Sequence, residues 1–248
     1  MRHLSLVVFL AALLVAAGPA AAADREFNDR VVSGIGKAKV DGRDAIVEVL
    51  VAVQAGESAT AAKNKALRGQ GAEPVANEYS FTGLVWDRLP VTQNYNSAGA
   101  PVNGLDALTK SHGPWSSVSG SRFQIRYGTA TSRCPSLVRE CPGPQVNDGF
   151  NDVGWARLGN GTLGVTWSTS RTDEADMAIS TRYRWTTGCR NLSNTYDLQS
   201  VFLHENGHVA GLGHSTDIAA VMYPSYQVAR CALAADDQAG IRALYPSR

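Results

Sequence analysis

Three histidines near the C-terminal end fall at spacings that bring their rings to one point. They lie in a run reading Leu203-His204-Glu205-Asn206-Gly207-His208-Val209-Ala210-Gly211-Leu212-Gly213-His214, or H-E-x-x-H-x-x-G-x-x-H as a pattern. At about 3.6 residues per turn, His204 and His208 sit one turn apart on one helix face, so both imidazoles reach a single metal ion. Glu205 projects beside them, where a carboxylate accepts the proton of a water held by the metal. Gly211 is placed to end the helix in a left-handed turn, which folds the chain back so that His214 supplies a third nitrogen. Three neutral nitrogens leave the fourth tetrahedral position open, the arrangement of a catalytic zinc rather than a structural one. Ordinary surface histidines are the plain alternative. The whole chain has 5 histidines, however, and three of them stand in this register.

The elements that must position these residues are partly legible. Asp197 is an N-cap acceptor ahead of Leu198, Val201, Phe202 and Val209, which predicts a helix with its apolar side in the core and its histidines in a cleft. Residues 102–115 form a second helix candidate, with Leu105 and Leu108 on one face and His112 read as a surface histidine. Phe123, Ile125 and Tyr127 alternate with polar residues, as in a half-buried strand. Residues 153–156 and 162–167 read as strands joined across Gly159-Asn160-Gly161, and Asn-Gly predicts a hairpin there. Residues 173–180 give a last strand with Met177 and Ile179 on one face; Glu174 and Asp176 are either solvated charges or partners behind the site. The oxygen-rich stretch 147–152 reads as a turn bonding its own backbone, with a calcium site as the alternative. Asn160-Gly161-Thr162 also spells a glycosylation sequon.

Composition is that of an ordinary globular protein: 248 residues, 44% hydrophobic and 18% charged. Lys+Arg 23 against Asp+Glu 22 leaves a net charge of +1, with no basic patch for nucleic acid. Residues 1–23 read as a signal peptide: a basic start, an apolar run too short for a comfortable span, then small residues around Ala21 and Ala23. Secretion, and no membrane association after cleavage, are expected. Residues 24–83 read as a small α/β unit, with a β-rich run at 45–53, an alanine-rich helix at 58–68 and a second strand at 78–82. It is either a prosegment that assists folding or covers the cleft, or a permanent accessory domain. Cys134, Cys141, Cys189 and Cys231 all lie downstream, and an oxidising compartment predicts two disulfides. Three pairings are possible; proximity along the chain favours Cys134 with Cys141 and Cys189 with Cys231.

The extended motif, followed by Ser215 and by a methionine in Ala220-Val221-Met222-Tyr223-Pro224, resembles the metzincin metalloproteases and, among them, the matrixins. Residues 236–245 resemble the closing helix of matrixin catalytic domains, and a weaker likeness reaches back to about Trp86. The resemblance implies an α+β catalytic domain over residues 84–248, with a twisted, mostly parallel five-stranded sheet, an antiparallel edge strand and three helices. It implies one catalytic zinc on His204, His208 and His214, with Glu205 as general base and Met222 as an apolar floor. Asp236 and Asp237 would brace the methionine turn. Leu163, Gly164, Val165 and Thr166 would be the edge strand on which a protein or peptide substrate adds as an antiparallel strand. Pro224 stands where some metzincins carry a zinc-binding tyrosine, so no fifth ligand is assigned. Cys134 as an inhibitory thiol is the rival to a disulfide, but the matrixin switch thiol resides in the propeptide and residues 24–83 contain no cysteine. The activity implied is a monomeric, secreted zinc endopeptidase. The alternatives are a metzincin-fold zinc protein acting on a non-protein substrate, or a non-catalytic binding module.

Overall fold

The structure, a computed structural model, describes residues 30–40, 43–75, 84–135, 148–159, 161–169 and 174–247. In chain order it begins with strands β1 (Val31–Val40) and β2 (Arg43–Ala52), helix α1 (Ala59–Gly69) and the short β3 (Glu73–Pro74). Next come β4 (Val91–Tyr95), α2 (Gly104–Ser116), β5 (Ile125–Ala130), β6 (Asn151–Ala156), β7 (Thr162–Thr169) and β8 (Ala175–Ser180). The chain closes with β9 (Trp185–Thr186), β10 (Tyr196–Asp197), α3 (Leu198–Val209), β11 (Ser225–Tyr226) and α4 (Ala235–Leu244). The expected strand at 78–82 lies outside the described residues, as do Cys141, Asn147, Asn160 and the leader.

Strands β5, β4, β6 and β8 run parallel, and β7 joins β8 antiparallel, giving the expected five-stranded catalytic sheet. Helices α2 and α3 supply the apolar layer on one face, where Leu108, Trp115, Phe123, Met177, Ile179, Phe202 and Leu203 are buried. Parallel strands are buried as a rule, and every position of β6 and β8 is buried, their few polar residues included.

One expectation is corrected by the sheet order. Strands β6 and β7 are not a hairpin, because β8 lies between them. Gly161 does hold a positive φ of 79°, but its freedom serves a close approach to β2. A Cβ there would sit 2.6 Å from the Ala52 carbonyl, and Gly161 accepts a hydrogen bond from the Ala52 N–H. The N-terminal strands extend the same sheet. Strand β2 pairs with β7 antiparallel, and β1 pairs with both β2 and β11, so the sheet runs β11-β1-β2-β7-β8-β6-β4-β5. An isolated two-stranded ribbon is marginal in water, and β7 offered it an open edge.

Helix α1 starts on Ser58, whose hydroxyl accepts from the Ala61 N–H. It covers the outer face of β1 and β2. There Val47, Val49, Val51, Ala62, Ala66 and Leu67 form a second apolar cluster with Val165, Trp167 and Ala178 of the catalytic sheet. Strand β2 is therefore buried on both faces: odd positions under α1, and Glu48, Leu50 and Ala52 towards the catalytic core. Among the described residues no helix is long and apolar enough to cross a membrane.

Candidate metal centre

Helix α3 forms as the pattern predicts. The Asp197 carboxylate accepts from the Ser200 N–H at 2.9 Å and caps its start. Ala210 ends it, and Gly211 then takes φ +93°, turning the chain towards His214. A side chain at Gly211 would run into the backbone carbonyl of Leu84. Trp115 and Trp86 donate their indole N–H groups to the carbonyls of Leu203 and Val209, at 2.9 and 2.6 Å, pinning the helix on two sides. The Tyr245 hydroxyl donates to the Ala210 carbonyl and accepts from the Trp86 N–H, tying α4 and the helix end together.

The three rings converge. His204 Nδ1 faces the Val221 carbonyl and His208 Nδ1 faces the Leu212 carbonyl, each at 2.8 Å. Donation from Nδ1 fixes the tautomer and turns each Nε2 lone pair inward. The two Nε2 atoms lie 3.1 Å apart. Burial pushes His208 down to about 3, so its ring is neutral and free to ligate. The Met222 side chain lies under the helix at Gly207, where an added Cβ would meet its sulfur and would sit 2.9 Å from the Trp115 ring. Asp237 holds that turn by accepting from the Val221, Met222 and Ala234 N–H groups. Asp236 instead accepts from the Ser215 hydroxyl, just after His214.

Glu205 is wholly buried, and its Oε2 accepts from the Thr166 hydroxyl on β7 at 2.5 Å. The expected edge residues thus stand beside Glu205. Gly164 also lies against it, since a Cβ there would sit 3.1 Å from Glu205 Oε1.

Sequence reasoning missed one group. Glu48, on β2, places Oε1 at 3.8, 3.6 and 3.6 Å from Nε2 of His204, His208 and His214. These four side chains are the one metal-competent cluster of His, Cys, Asp and Glu among the described residues. Zinc with bonds of about 2.0–2.1 Å sets tetrahedral ligand atoms roughly 3.3–3.4 Å apart; the His204–His208 and Glu48–imidazole separations of 3.1–3.8 Å lie near that, and all four donors fall within 4.8 Å of one another. Both Glu48 oxygens are buried without a hydrogen-bond donor, which a bound cation would remedy. The residues therefore fit a zinc ion. Burial, then the Glu48 charge, push Glu205 well above the usual carboxylate range. Burial alone would raise Glu48 too, but the three imidazoles outweigh it and hold Glu48 low. No pattern along the chain marks Glu48; its only local signal is an acid in an otherwise apolar β-run.

The other candidate residues find structural work. His112 is buried rather than on the surface, because α2 packs directly on α3; its Nε2 meets Gln93 Oε1 at 2.8 Å. Gln93 donates to Asn206 Oδ1, and Asn206 donates to the Ser111 hydroxyl, completing a polar link behind the metal helix. Glu174 and Asp176 are buried, not solvated, and accept from the N–H groups of Gly149 and Asp152. The Asp152 carboxylate is taken by Arg133 at 2.7 and 3.0 Å, while Asp148 and Asn151 accept backbone N–H groups. The oxygens expected to turn or to bind calcium are thus engaged by protein donors. Cys189 and Cys231 form a disulfide, Cα atoms 6.0 Å apart. Cys134 is also disulfide-bonded, so it is no inhibitory thiol.

A histidine-rich helix, a glycine turn returning a third imidazole and a methionine floor under a mostly parallel sheet define a metzincin-type centre. Comparison with known proteins narrows the class. Residues 155–246 match the matrixin family model. Metalloendoproteinase 1 of Glycine max is 50% identical over 56 residues, covering 22% of this chain and 18% of that protein. Interstitial collagenase of Oryctolagus cuniculus is 51% identical over 63 residues, 25% of this chain and 13% of its own. Hatching enzyme of Paracentrotus lividus is 30% identical over 172 residues, 67% of this chain and 27% of its own. The chain thus spans 13–27% of the length of these three relatives, and it carries a matrixin-like metzincin domain.

Proposed function

We propose that this chain is a secreted zinc endopeptidase, processed at its leader, that hydrolyses internal peptide bonds of protein substrates. The observation that carries the reading is the convergence of three inward Nε2 atoms beside the buried Glu205 carboxyl of α3, which the Thr166 hydroxyl of β7 holds. His204, His208 and His214 would hold one zinc ion, which would supply Lewis acidity to a peptide carbonyl and acidity to a water. Glu205, steadied by Thr166, takes the water proton at Oε1 and passes it to the leaving amine. Residues 163–166 would bind the substrate backbone as an antiparallel neighbour, leaving alternate side chains to pockets. The names of the relatives, a collagenase among them, support a protein substrate.

The test uses secreted protein whose N-terminus has been sequenced. One zinc per chain by atomic absorption is expected, and chelator-sensitive cleavage of casein or a peptide library by material from which residues 24–83 have been removed. Glu205→Ala should keep its zinc and lose hydrolysis by about 10²–10⁴-fold. Undiminished hydrolysis in that variant would remove Glu205 from the reaction. Zinc-dependent turnover confined to non-peptide substrates would overturn the endopeptidase reading.

A further inference from the structure

A peptidase must admit a peptide to its metal, yet here the centre is sealed: His204, His208 and His214 are exposed by 6%, 3% and 6%, and Glu205 by 0%. Strand β2 makes the seal. It runs antiparallel to β7 with Glu48 opposite Thr166 and Leu50 opposite Gly164, in the place and direction proposed above for substrate. Glu48, itself 2% exposed, directs its carboxylate at the point where the three Nε2 atoms meet. Two residues on, Leu50 faces the same way and reaches a recess beside the metal helix lined by Val201, His204, Val221, Tyr223 and Tyr226. On the far side, β1 pairs with β11 through Val31 and Val32, and Ser33 donates to the Pro224 carbonyl. The hairpin is thus sewn to both rims of the cleft. Its outer face is clamped by α1 through Val47, Val49 and Val51.

We infer that Glu48 is a fourth ligand of the metal and that the β1–β2 hairpin is a substrate-like occupant, keeping the intact chain latent through a carboxylate. The inference rests on the zinc-peptidase reading above. A side-chain carboxylate suits this office for two reasons. It fills the position a water needs, and it presents no bond that the centre hydrolyses. A thiol has no part in it, since residues 30–75 contain none. Three protein ligands with an open corner make a catalytic site, and a fourth closes it.

The test is made on the full-length chain, loaded with zinc or with cobalt, comparing wild type with Glu48→Ala and Glu48→Gln. Glu57→Ala, on the same segment but away from the centre, is the control. Both Glu48 variants should change the visible cobalt spectrum, as oxygen of a carboxylate gives way to water, while circular dichroism stays unaltered. Zinc should pass to excess dipicolinate at least tenfold faster than from wild type or the control. Cleavage of a fluorogenic peptide, absent in the intact wild type, should rise at least tenfold. Identical spectra and release rates in wild type and both variants would show that Glu48 is no ligand. Full peptide cleavage by the intact wild type would show that the hairpin does not confer latency. Failure of wild type to hold stoichiometric metal would instead sink the zinc reading itself. If Glu48→Ala fails to fold, the near-isosteric Glu48→Gln decides.

Discussion

Asn206 fills a position that the metal-binding pattern leaves open, yet it is as buried as the ligands and joined to Gln93 and Ser111. Through Gln93 it reaches His112, whose pKa burial pushes down to about 4. A buried imidazole held neutral favours the fold fully above its unfolded value of about 6.5. That contribution falls as pH drops from there through about 4, because the unfolded chain takes up the proton first. His112→Gln should therefore flatten the loss of stability between those two pH values, a difference of about 3 kcal/mol at the acid end in urea titrations. An unchanged acid profile would mean that His112 opens to water. At this scale the sequence was readable only where chemistry is local. The three histidines and Glu205 lie within one short run, so periodicity alone placed them together. Glu48 arrives from the other end of the chain, and Asn206 and His112 are ordinary residues until two helices pack. Pairing across such distances leaves no spacing to read.

At the scale of elements, the metal helix is held by its ends. Asp197 starts it, Gly211 stops it, and Trp86, Trp115 and Tyr245 fasten it between. Gly211→Ala should be costly, because φ +93° is strained for any side chain and the Leu84 carbonyl stands in the way. A loss of at least about 2 kcal/mol is expected, with zinc affinity lowered as His214 shifts. Stability equal to wild type in thermal unfolding would show that the turn relaxes freely. Caps and amphipathic faces make α1, α2 and α3 legible in the sequence alone. Strand order is not, since Gly159-Asn160-Gly161 carries a hairpin signal between strands that β8 keeps apart. Turn chemistry reports what the backbone permits, and the partner of β6 is settled by parallel packing elsewhere in the sheet.

Across the whole molecule, one covalent tie restrains the segment that carries the site. The Cys189–Cys231 bridge spans 42 residues and encloses α3, the glycine turn and the methionine turn. Chain-entropy reasoning gives such a loop a stabilisation of about 4 kcal/mol, so reduction should lower the denaturation midpoint markedly in guanidinium titrations. A midpoint unmoved by reductant would show that packing alone holds this half. The sequence marked this bridge and the catalytic sheet well, because both belong to one continuous region. It left open how the first residues sit on the rest, and that relation decides whether the metal meets water or Glu48.

Strand β2 owes its hold to having apolar neighbours above and below, and this has a further consequence. Val165, Trp167 and Ala178 are dry only because α1 and the valines of β2 lie over them. Were residues 30–75 to leave, the back of the catalytic sheet would be laid bare along with its front, as a greasy patch facing solvent. The liberated domain would be both the working form and the more adhesive one, prone to self-association and to binding apolar dyes.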